Sequence, residues 1–265
     1  MRHPELPPNV VVLPGTDVEG EWERFRVFEA LHHGMTICNP MLPADLDALV
    51  MQLDPVDGER VLDLACGHGE LLMRMAERAQ IAGVGVDLSP WVIARAASTA
   101  MDRQMQGEVE WRVGEARNAA DAAQWDIVTC LGASWIWHGT EGTVRALARR
   151  CRPGARVAMG DLVLREGVDG DEVAATVGRK ATGDETAAMF EAAGFEDIAE
   201  LTLDETGWHA YQERIWESAH EWRRLHPGAE ADTFIAEQER WRLDHDRDME
   251  LLRWAVWAAR RPRVG

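Results

Sequence analysis

A short glycine-containing turn stands between an acid and a helical segment in the stretch Asp63-Leu64-Ala65-Cys66-Gly67-His68-Gly69-Glu70. Glycine has no Cβ, so Gly67 and Gly69 allow the backbone to turn tightly and to approach a ligand closely. Asp63 is able to accept hydrogen bonds from an amine or from amides of the loop. Because an apolar run typical of a buried strand precedes the turn, the stretch predicts a ligand site at a strand-to-helix turn.

A dinucleotide-binding loop is the main alternative for such a turn, and its pattern is G-x-G-x-x-G. The position of the third glycine is Leu72 in this chain. The acid also lies before the glycines, where a carboxylate helps to hold a cationic amino group but gains nothing beside a pyrophosphate. Both features argue against NAD as the ligand.

A second acid, Asp87, ends the next apolar run, and Leu88 follows it. At the carboxyl end of a second strand, the Asp87 carboxylate is able to accept both hydroxyls of a ribose. Alternatively, Asp87 caps the helix that starts after Ser89. Ser89 and Pro90 are themselves typical of an N-cap and a first helical position, so the ribose role is favoured for Asp87.

Two further loops follow strand-like runs. Glu115 and Ala116 come after a third run, where a carboxylate or amide accepts from an exocyclic amine, although Glu115 is also compatible with an exposed loop acid. Cys130 and Gly132 come after a fourth run, and small residues there suit a loop that passes close to a ligand.

The alternation of strand-like and helix-like runs predicts an α/β fold with a doubly wound, mostly parallel sheet and helices on both faces. Before it, residues 21–33 have nearly helical spacing and predict one helix ended by Gly34, and residues 43–53 predict another. After residue 203, two helical segments form an insertion. The tail at 251–260 fits either a helix end or a last antiparallel strand, and we favour the strand.

The order and spacing of these residues resemble a class I S-adenosylmethionine-dependent methyltransferase over residues 60–203. Asp63, Gly67 and Gly69 match its first motif, Asp87 its ribose acid, and Glu115–Ala116 its adenine-side motif. Additional matches are Asp126 at the head of the fourth strand, the turn at 152–154 and the helix end at 191–195. The first glycine of the usual loop is Ala65 here, a departure that a small side chain tolerates.

The resemblance implies a seven-stranded sheet and four regions of the chain. These are an N-terminal helical cap (1–55), a Rossmann-like S-adenosylmethionine-binding core (56–205), a helical lid before the last strand (206–250) and the C-terminal strand (251–265). It also implies a set of cofactor-binding residues: Asp63, Ala65, Gly67, Gly69, Asp87, Leu88, Glu115, Ala116, Cys130 and Gly132. Substrate specificity is expected to reside in the cap and the lid.

The implied activity is methyl transfer to an oxygen or nitrogen atom of a small metabolite. A base is needed when the acceptor is an alcohol, a phenol or an ammonium group. His138, just after the fourth strand, and Tyr211, on the lid, are the main candidates for a base or an orienting group, and His209 is a further one. His138 is also compatible with a solvent-facing loop, and Tyr211 with packing alone. Non-methylating chemistry on the same cofactor fold, or a non-catalytic S-adenosylmethionine-binding protein, stays open as an alternative.

Composition limits the partners. The net charge of −18 disfavours nucleic acid as a substrate. No apolar stretch is long enough to span a membrane, and no secretion signal is evident. Cys38, Cys66, Cys130 and Cys151 form no C-x-x-C pair, so reduced thiols and a cytoplasmic location are expected. No metal site is expected, because His32, His33 and Cys38 match no standard zinc spacing. Oligomer formation is left open.

Overall fold

The computed structural model describes residues 5–119, 124–201, 203 and 205–263, except for the side chain of residue 230. Within these residues, eight strands form one sheet. They are β1 (Val10–Val12), β2 (Arg60–Leu64), β3 (Ala82–Asp87), β4 (Glu108–Val113), β5 (Trp125–Leu131), β6 (Cys151–Leu164), β7 (Glu196–Leu201) and β8 (Leu252–Arg260). The strand order across the sheet is β1-β4-β3-β2-β5-β6-β8-β7.

The described α-helices cover both faces and one end of this sheet. They are α1 (Val18–Arg24), α2 (Arg26–His32), α3 (Pro43–Leu53), α4 (Glu70–Arg78), α5 (Pro90–Met101), α6 (Thr140–Arg150), α7 (Gly170–Val177), α8 (Gly183–Ala192), α9 (Thr206–Leu225) and α10 (Ala229–Leu251). The predicted doubly wound, mostly parallel α/β fold is therefore confirmed. The sheet gains an eighth strand, β1, which pairs in parallel with β4 at one edge.

The C-terminal segment forms the favoured strand, β8, which is antiparallel to both β6 and β7. Its side chains alternate between two apolar cores. Trp254, Val256 and Ala258 join the core beneath α3, α4 and α5. Ala255 and Trp257 join the core on the other face. A strand buried on both faces reads as a continuous apolar run, which is why the sequence pattern left it ambiguous.

The single helix predicted over residues 21–33 is wrong, because the chain forms two helices, α1 and α2, that meet at Phe25. The carbonyl oxygen of Trp22 accepts a hydrogen bond of 2.8 Å from the indole Nε1 of Trp91 in α5. In an uninterrupted helix, that carbonyl would accept from the amide of Arg26. The hydrogen bond from Trp91 of α5 therefore coincides with the break between α1 and α2.

The two long helices of the insertion, α9 and α10, pack on the N-terminal helices, and Trp208 of α9 also packs on Leu164 of β6 and Leu252 of β8. Ala30 and Leu31 of α2 form a buried apolar cluster with Ala219 and Trp222 of α9 and with Phe234 of α10. This cluster joins the two regions that flank the core. Among the described residues, no helix is both long and apolar enough to cross a bilayer.

Gly69 generates a testable prediction about stability. Its φ is +75°, and a Cβ there would lie 2.2 Å from Cη2 of the fully buried Trp111 ring. We expect Gly69→Ala to lower the free energy of unfolding by about 1–3 kcal/mol for overpacking, in addition to the cost of a left-handed alanine, about 1–2 kcal/mol.

Gly58→Ala is the matched control for Gly69→Ala. The φ of Gly58 is +84°, but nothing lies within 4 Å of a Cβ added there. Gly58→Ala therefore bears only the energetic cost of a left-handed alanine. Urea denaturation of both variants measures the difference. Equal losses of stability would show that contact with Trp111 does not restrict Gly69.

Candidate active site

A cavity opens along the carboxyl ends of four neighbouring strands, β4, β3, β2 and β5, and encloses about 990 Å³ with its open mouth included. Eight of the residues predicted to bind the cofactor line it, in strand order: Glu115 and Ala116 after β4, Asp87 and Leu88 at β3, Asp63, Ala65 and Gly67 at β2, and Gly132 after β5. Phe28 and Ile37 from the N-terminal region close one side. We call this space the cofactor cavity.

Two residues predicted to bind the cofactor do not line the cofactor cavity. Gly69 starts helix α4 and lies against Trp111, so its missing Cβ makes room for an indole ring. Cys130 is fully buried, and this burial raises the pKa of its thiol well above the ordinary value. The structure therefore gives these two residues structural contacts rather than a place on the cavity wall.

Asp87 joins the glycine turn to the next loop. Its Oδ2 accepts from the amide of Gly67 at 3.0 Å, and its Oδ1 accepts from the amide of Ser89 at 2.9 Å. Ser89 and Pro90 are the N-cap and the first residue of α5, as predicted, but the Ser89 hydroxyl makes no cap bond and finds no partner among the described residues. Each carboxylate oxygen of Asp87 keeps a second lone pair for a ligand hydroxyl.

Asp63 lies at the bottom of the same turn and is only 3% exposed. Its Oδ1 accepts a hydrogen bond of 2.7 Å from the Thr129 hydroxyl of β5. Burial raises the pKa of Asp63 to about 7; the Thr129 bond opposes this rise, and the charge of Asp87 adds to it. A cationic group in the cavity would favour the ionised carboxylate, so the site fits a ligand that carries an ammonium group.

The turn itself is strained at one position. Ala65 has φ +57°, in the left-handed region where a non-glycine residue costs about 1–2 kcal/mol. Gly67 also lies in this region, with φ +54°. The departure from the family pattern at Ala65 therefore keeps the backbone shape of the turn at an energetic cost.

His68 forms a buried cluster that the sequence patterns did not predict. Its Nδ1 lies 2.8 Å from the carbonyl oxygen of Met35 and 3.2 Å from Sγ of Cys38, and its Nε2 lies 3.8 Å from Oε2 of Glu29. Burial lowers the pKa of His68, but the bonds to Cys38 and Glu29 outweigh it and raise the pKa to about 9. The resulting imidazolium ties the glycine turn to α2. The sequence contains two signs of this cluster: a histidine within the glycine turn, and a glutamate on the apolar face of a helix.

A second cavity adjoins the first. It lies between the sheet edge and helices α9 and α10, and it shares Cys38, Asn39 and Gly132 with the cofactor cavity. Its aromatic lining consists of Trp208, Tyr211, Trp241 and Trp254. We call it the aromatic chamber.

The two predicted catalytic residues lie in different surroundings. His138 is exposed, follows a 3-10 helix over Ser134–Trp137, and lines neither the cofactor cavity nor the aromatic chamber. Tyr211 lines the aromatic chamber, and its hydroxyl is 3.4 Å from the carbonyl oxygen of Cys38. The geometry therefore favours Tyr211 over His138 as a group near an acceptor.

Tyr211 has a buried partner, His32, whose Nε2 lies 2.7 Å from the phenol oxygen. His32 Nδ1 lies 2.8 Å from the carbonyl oxygen of Phe28, which only accepts, so Nδ1 carries the proton and Nε2 accepts from Tyr211. Burial lowers the pKa of His32 to about 4, so its ring is neutral. Burial also raises the pKa of Tyr211, which keeps its proton.

This sheet has an acid near the end of β2, a second acid at the end of β3 and a cavity along the carboxyl ends of these strands, and it defines a class I S-adenosylmethionine-binding fold. Residues 61–154 match the family described as "Methyltransferase domain". An S-adenosylmethionine-dependent methyltransferase from Geobacter sulfurreducens, solved with S-adenosylhomocysteine, is 28% identical and superposes with a TM-score of 0.81 over 90% of this chain and 98% of that chain.

The chain is also similar to curated proteins. The Escherichia coli protein YjhP is 27% identical over 80% of this chain and 86% of its own length. The ubiquinone biosynthesis O-methyltransferase of Azoarcus sp. is 31% identical over 51% of this chain and 54% of its own length. The chain is therefore similar to S-adenosylmethionine-dependent methyltransferases of class I, and it shares their Rossmann-like fold.

Asp63 generates a prediction about the pH dependence of cofactor binding. Its folded pKa of about 7 means that the free enzyme holds a protonated carboxyl below this pH, and a bound ammonium group favours the ionised form. Affinity for S-adenosylhomocysteine should therefore rise with pH, by about tenfold between pH 6 and pH 7.5. Titration calorimetry measures the affinity and the coupled proton release.

Two variants test whether Asp63 is the titrating group. Asp63→Asn should bind more weakly and lose the pH dependence, because its amide does not titrate in this range. Thr129→Val should shift the dependence to higher pH, because it removes the hydrogen bond that lowers the pKa of Asp63. An unchanged pH profile in Asp63→Asn would exclude Asp63 as the source.

Proposed function

We propose that the chain transfers a methyl group from S-adenosylmethionine to an oxygen or nitrogen atom of a small metabolite bound in the aromatic chamber. One observation carries this proposal: Cys38, Asn39 and Gly132 line both the cofactor cavity and the aromatic chamber. An acceptor in the chamber would therefore meet the cofactor at this shared wall.

The order of the lining residues supports an orientation for the cofactor. Glu115 and Ala116 would hold the adenine, Asp87 and Leu88 the ribose, and Asp63 the ammonium group. The strands that carry them are consecutive neighbours, and four strands about 4.8 Å apart span roughly 14 Å. In this orientation, the methionine end lies toward β5 and Gly132, beside the shared wall.

When bound, the cofactor supplies a methyl group that its sulfonium already activates. The protein then has mainly to align the acceptor atom, the methyl carbon and the sulfur, because such alignment provides much of the rate. The cap and the lid suit this task. Phe28 and Ile37 would cover the cofactor and exclude water, while α9 and α10 form the wall of the aromatic chamber opposite the sheet.

Tyr211 would position the acceptor rather than remove its proton. Because Tyr211 donates its own hydrogen to His32, its oxygen offers only lone pairs to the chamber, and it would accept from an O–H or N–H of the acceptor. Full relay of a proton to His32 is unfavourable, since charging a ring with a pKa of about 4 at neutral pH costs about 4 kcal/mol.

We also propose that the enzyme acts in a reducing compartment such as the cytoplasm. All four cysteines are free thiols in the structure. Cysteines of proteins in a reducing compartment stay reduced, so free thiols support this location. The net charge of −18 supports a small molecule rather than nucleic acid as the acceptor.

The experiment that tests this function has two parts. Titration calorimetry should show binding of S-adenosylhomocysteine, and incubation with S-adenosylmethionine and a metabolite extract should yield a product heavier by one methylene unit in mass spectrometry. Products of unchanged or smaller mass would identify non-methylating chemistry. Binding without any turnover would identify a binding protein.

Tyr211→Phe is expected to lower turnover of the acceptor about fivefold, because one hydrogen bond worth about 1 kcal/mol is lost. Affinity for S-adenosylhomocysteine should not change, since Tyr211 does not line the cofactor cavity. His138→Ala serves as the control and should be silent, because that side chain is exposed and lies outside both cavities. A loss in His138→Ala with none in Tyr211→Phe would reverse the assignment.

A further inference from the structure

The walls of the aromatic chamber carry four aromatic rings. Trp208 is 6% exposed and forms part of the inner wall, whereas Trp241 is 65% exposed. Trp254 fits over two glycines: a Cβ on Gly160 would lie 2.7 Å from its ring, and one on Gly132 would lie 3.2 Å from it. Aromatic faces bind flat apolar groups and attract cations.

The charged side chains on the chamber wall are acidic. Asp244 and Asp248 line it, and none of the described lining residues is a lysine or an arginine. Arg247 lies 3.3 Å from Asp244 and 3.1 Å from Asp248, so one guanidinium is shared by two carboxylates. The group keeps a net charge of −1. A carboxylate or phosphate on the acceptor would be repelled.

Two buried polar atoms of the lining residues lack hydrogen-bond partners among the described residues. One is Nε2 of His245, a side chain only 8% exposed, and the other is Nε1 of Trp254. His245 is held edge-on against Trp208, with ring centroids 5.1 Å apart. Buried polar atoms usually have partners, so two unpaired ones beside one cavity indicate that a polar ligand binds there.

The Tyr211 oxygen restricts which hydrogen-bonding groups a ligand in the chamber can present to it. Its hydrogen is directed to His32, so the group it meets in the chamber must donate a hydrogen. An amine or ammonium group has N–H donors and also satisfies the acidic wall and the aromatic rings. A neutral alcohol would donate to Tyr211 and accept from the Trp254 Nε1–H, which an ammonium group cannot do, but it gains no charge attraction from the acidic wall.

We propose that the aromatic chamber binds a small amine-bearing acceptor, positively charged at neutral pH, with a flat apolar body. This inference rests on the proposed function, because it names the acceptor class for the same site. The charged nitrogen, which has no lone pair and is therefore a binding group rather than the methylated atom, is held by Asp244, Asp248 and the aromatic faces. The apolar body lies between Trp208 and Trp254.

Three probes of one shape test the inference: phenethylamine, 2-phenylethanol and phenylacetate, titrated into enzyme saturated with S-adenosylhomocysteine. Their side chains differ mainly in charge, which is positive, neutral and negative. An exposed ion pair contributes up to about 1 kcal/mol, so two carboxylates and the rings predict at least about tenfold tighter binding of the amine than of the carboxylate. Calorimetry gives the three affinities.

The variant Asp244→Asn/Asp248→Asn should reduce this preference for the amine about tenfold while leaving affinity for S-adenosylhomocysteine unchanged. Asp246→Asn is the matched control, because it removes a charge from the same helix but does not line the chamber. A preference equally reduced by Asp246→Asn would indicate a general effect of net charge and would overturn the proposed site.

The remaining outcomes separate this inference from the proposed function. If S-adenosylhomocysteine does not bind, the proposed function fails. If it binds, but the alcohol or the carboxylate binds as tightly as the amine, or no probe binds, the acceptor class is wrong and the methyltransferase proposal stands.

Discussion

The Asp87 carboxylate is the interaction on which the site depends. One oxygen holds the amide of Gly67 and the other holds the amide of Ser89, so a single side chain fixes two loops that leave neighbouring strands. A carboxylate withdrawn from water is stable only when its oxygens are bonded; burial raises the pKa of Asp87, and the bonds from the Ser89 and Gly67 amides oppose this rise. The two amides therefore stabilise the acid and, at the same time, give the cofactor cavity its shape.

The surrounding helices are tied to this centre by buried polar contacts as well as by apolar ones. His68 and Glu29 join the glycine turn to α2, and Tyr211 and His32 join α9 to the same helix. Because α2 takes part in both pairs, it connects the cofactor cavity to the aromatic chamber. A change that displaces α2 should therefore alter the cofactor cavity and the aromatic chamber together, although they are separate spaces.

Much of the fold and of the cavity could be predicted from the sequence. Parallel strands bring their carboxyl ends to one edge, so Asp63, Asp87 and Gly132 converge although they are distant in the chain. The failures have a common origin in contacts from other elements. The ring of Trp111 occupies the space beside Gly69, and the indole of Trp91 bonds the carbonyl at the break between α1 and α2.

The sequence by itself determined the alternation of strands and helices, the glycine turn and the two acids, because each depends on local spacing and on residue type. Only the tertiary structure decided that Tyr211 meets His32, that Cys38 meets His68 and that the cofactor cavity and the aromatic chamber share a wall. The Cys38–His68 contact joins segments 30 residues apart, whereas the Tyr211–His32 contact and the lining of the aromatic chamber join segments from opposite ends of the chain. Their geometry follows from how α9 and α10 pack against α2, and that arrangement leaves no periodic pattern in the residues themselves.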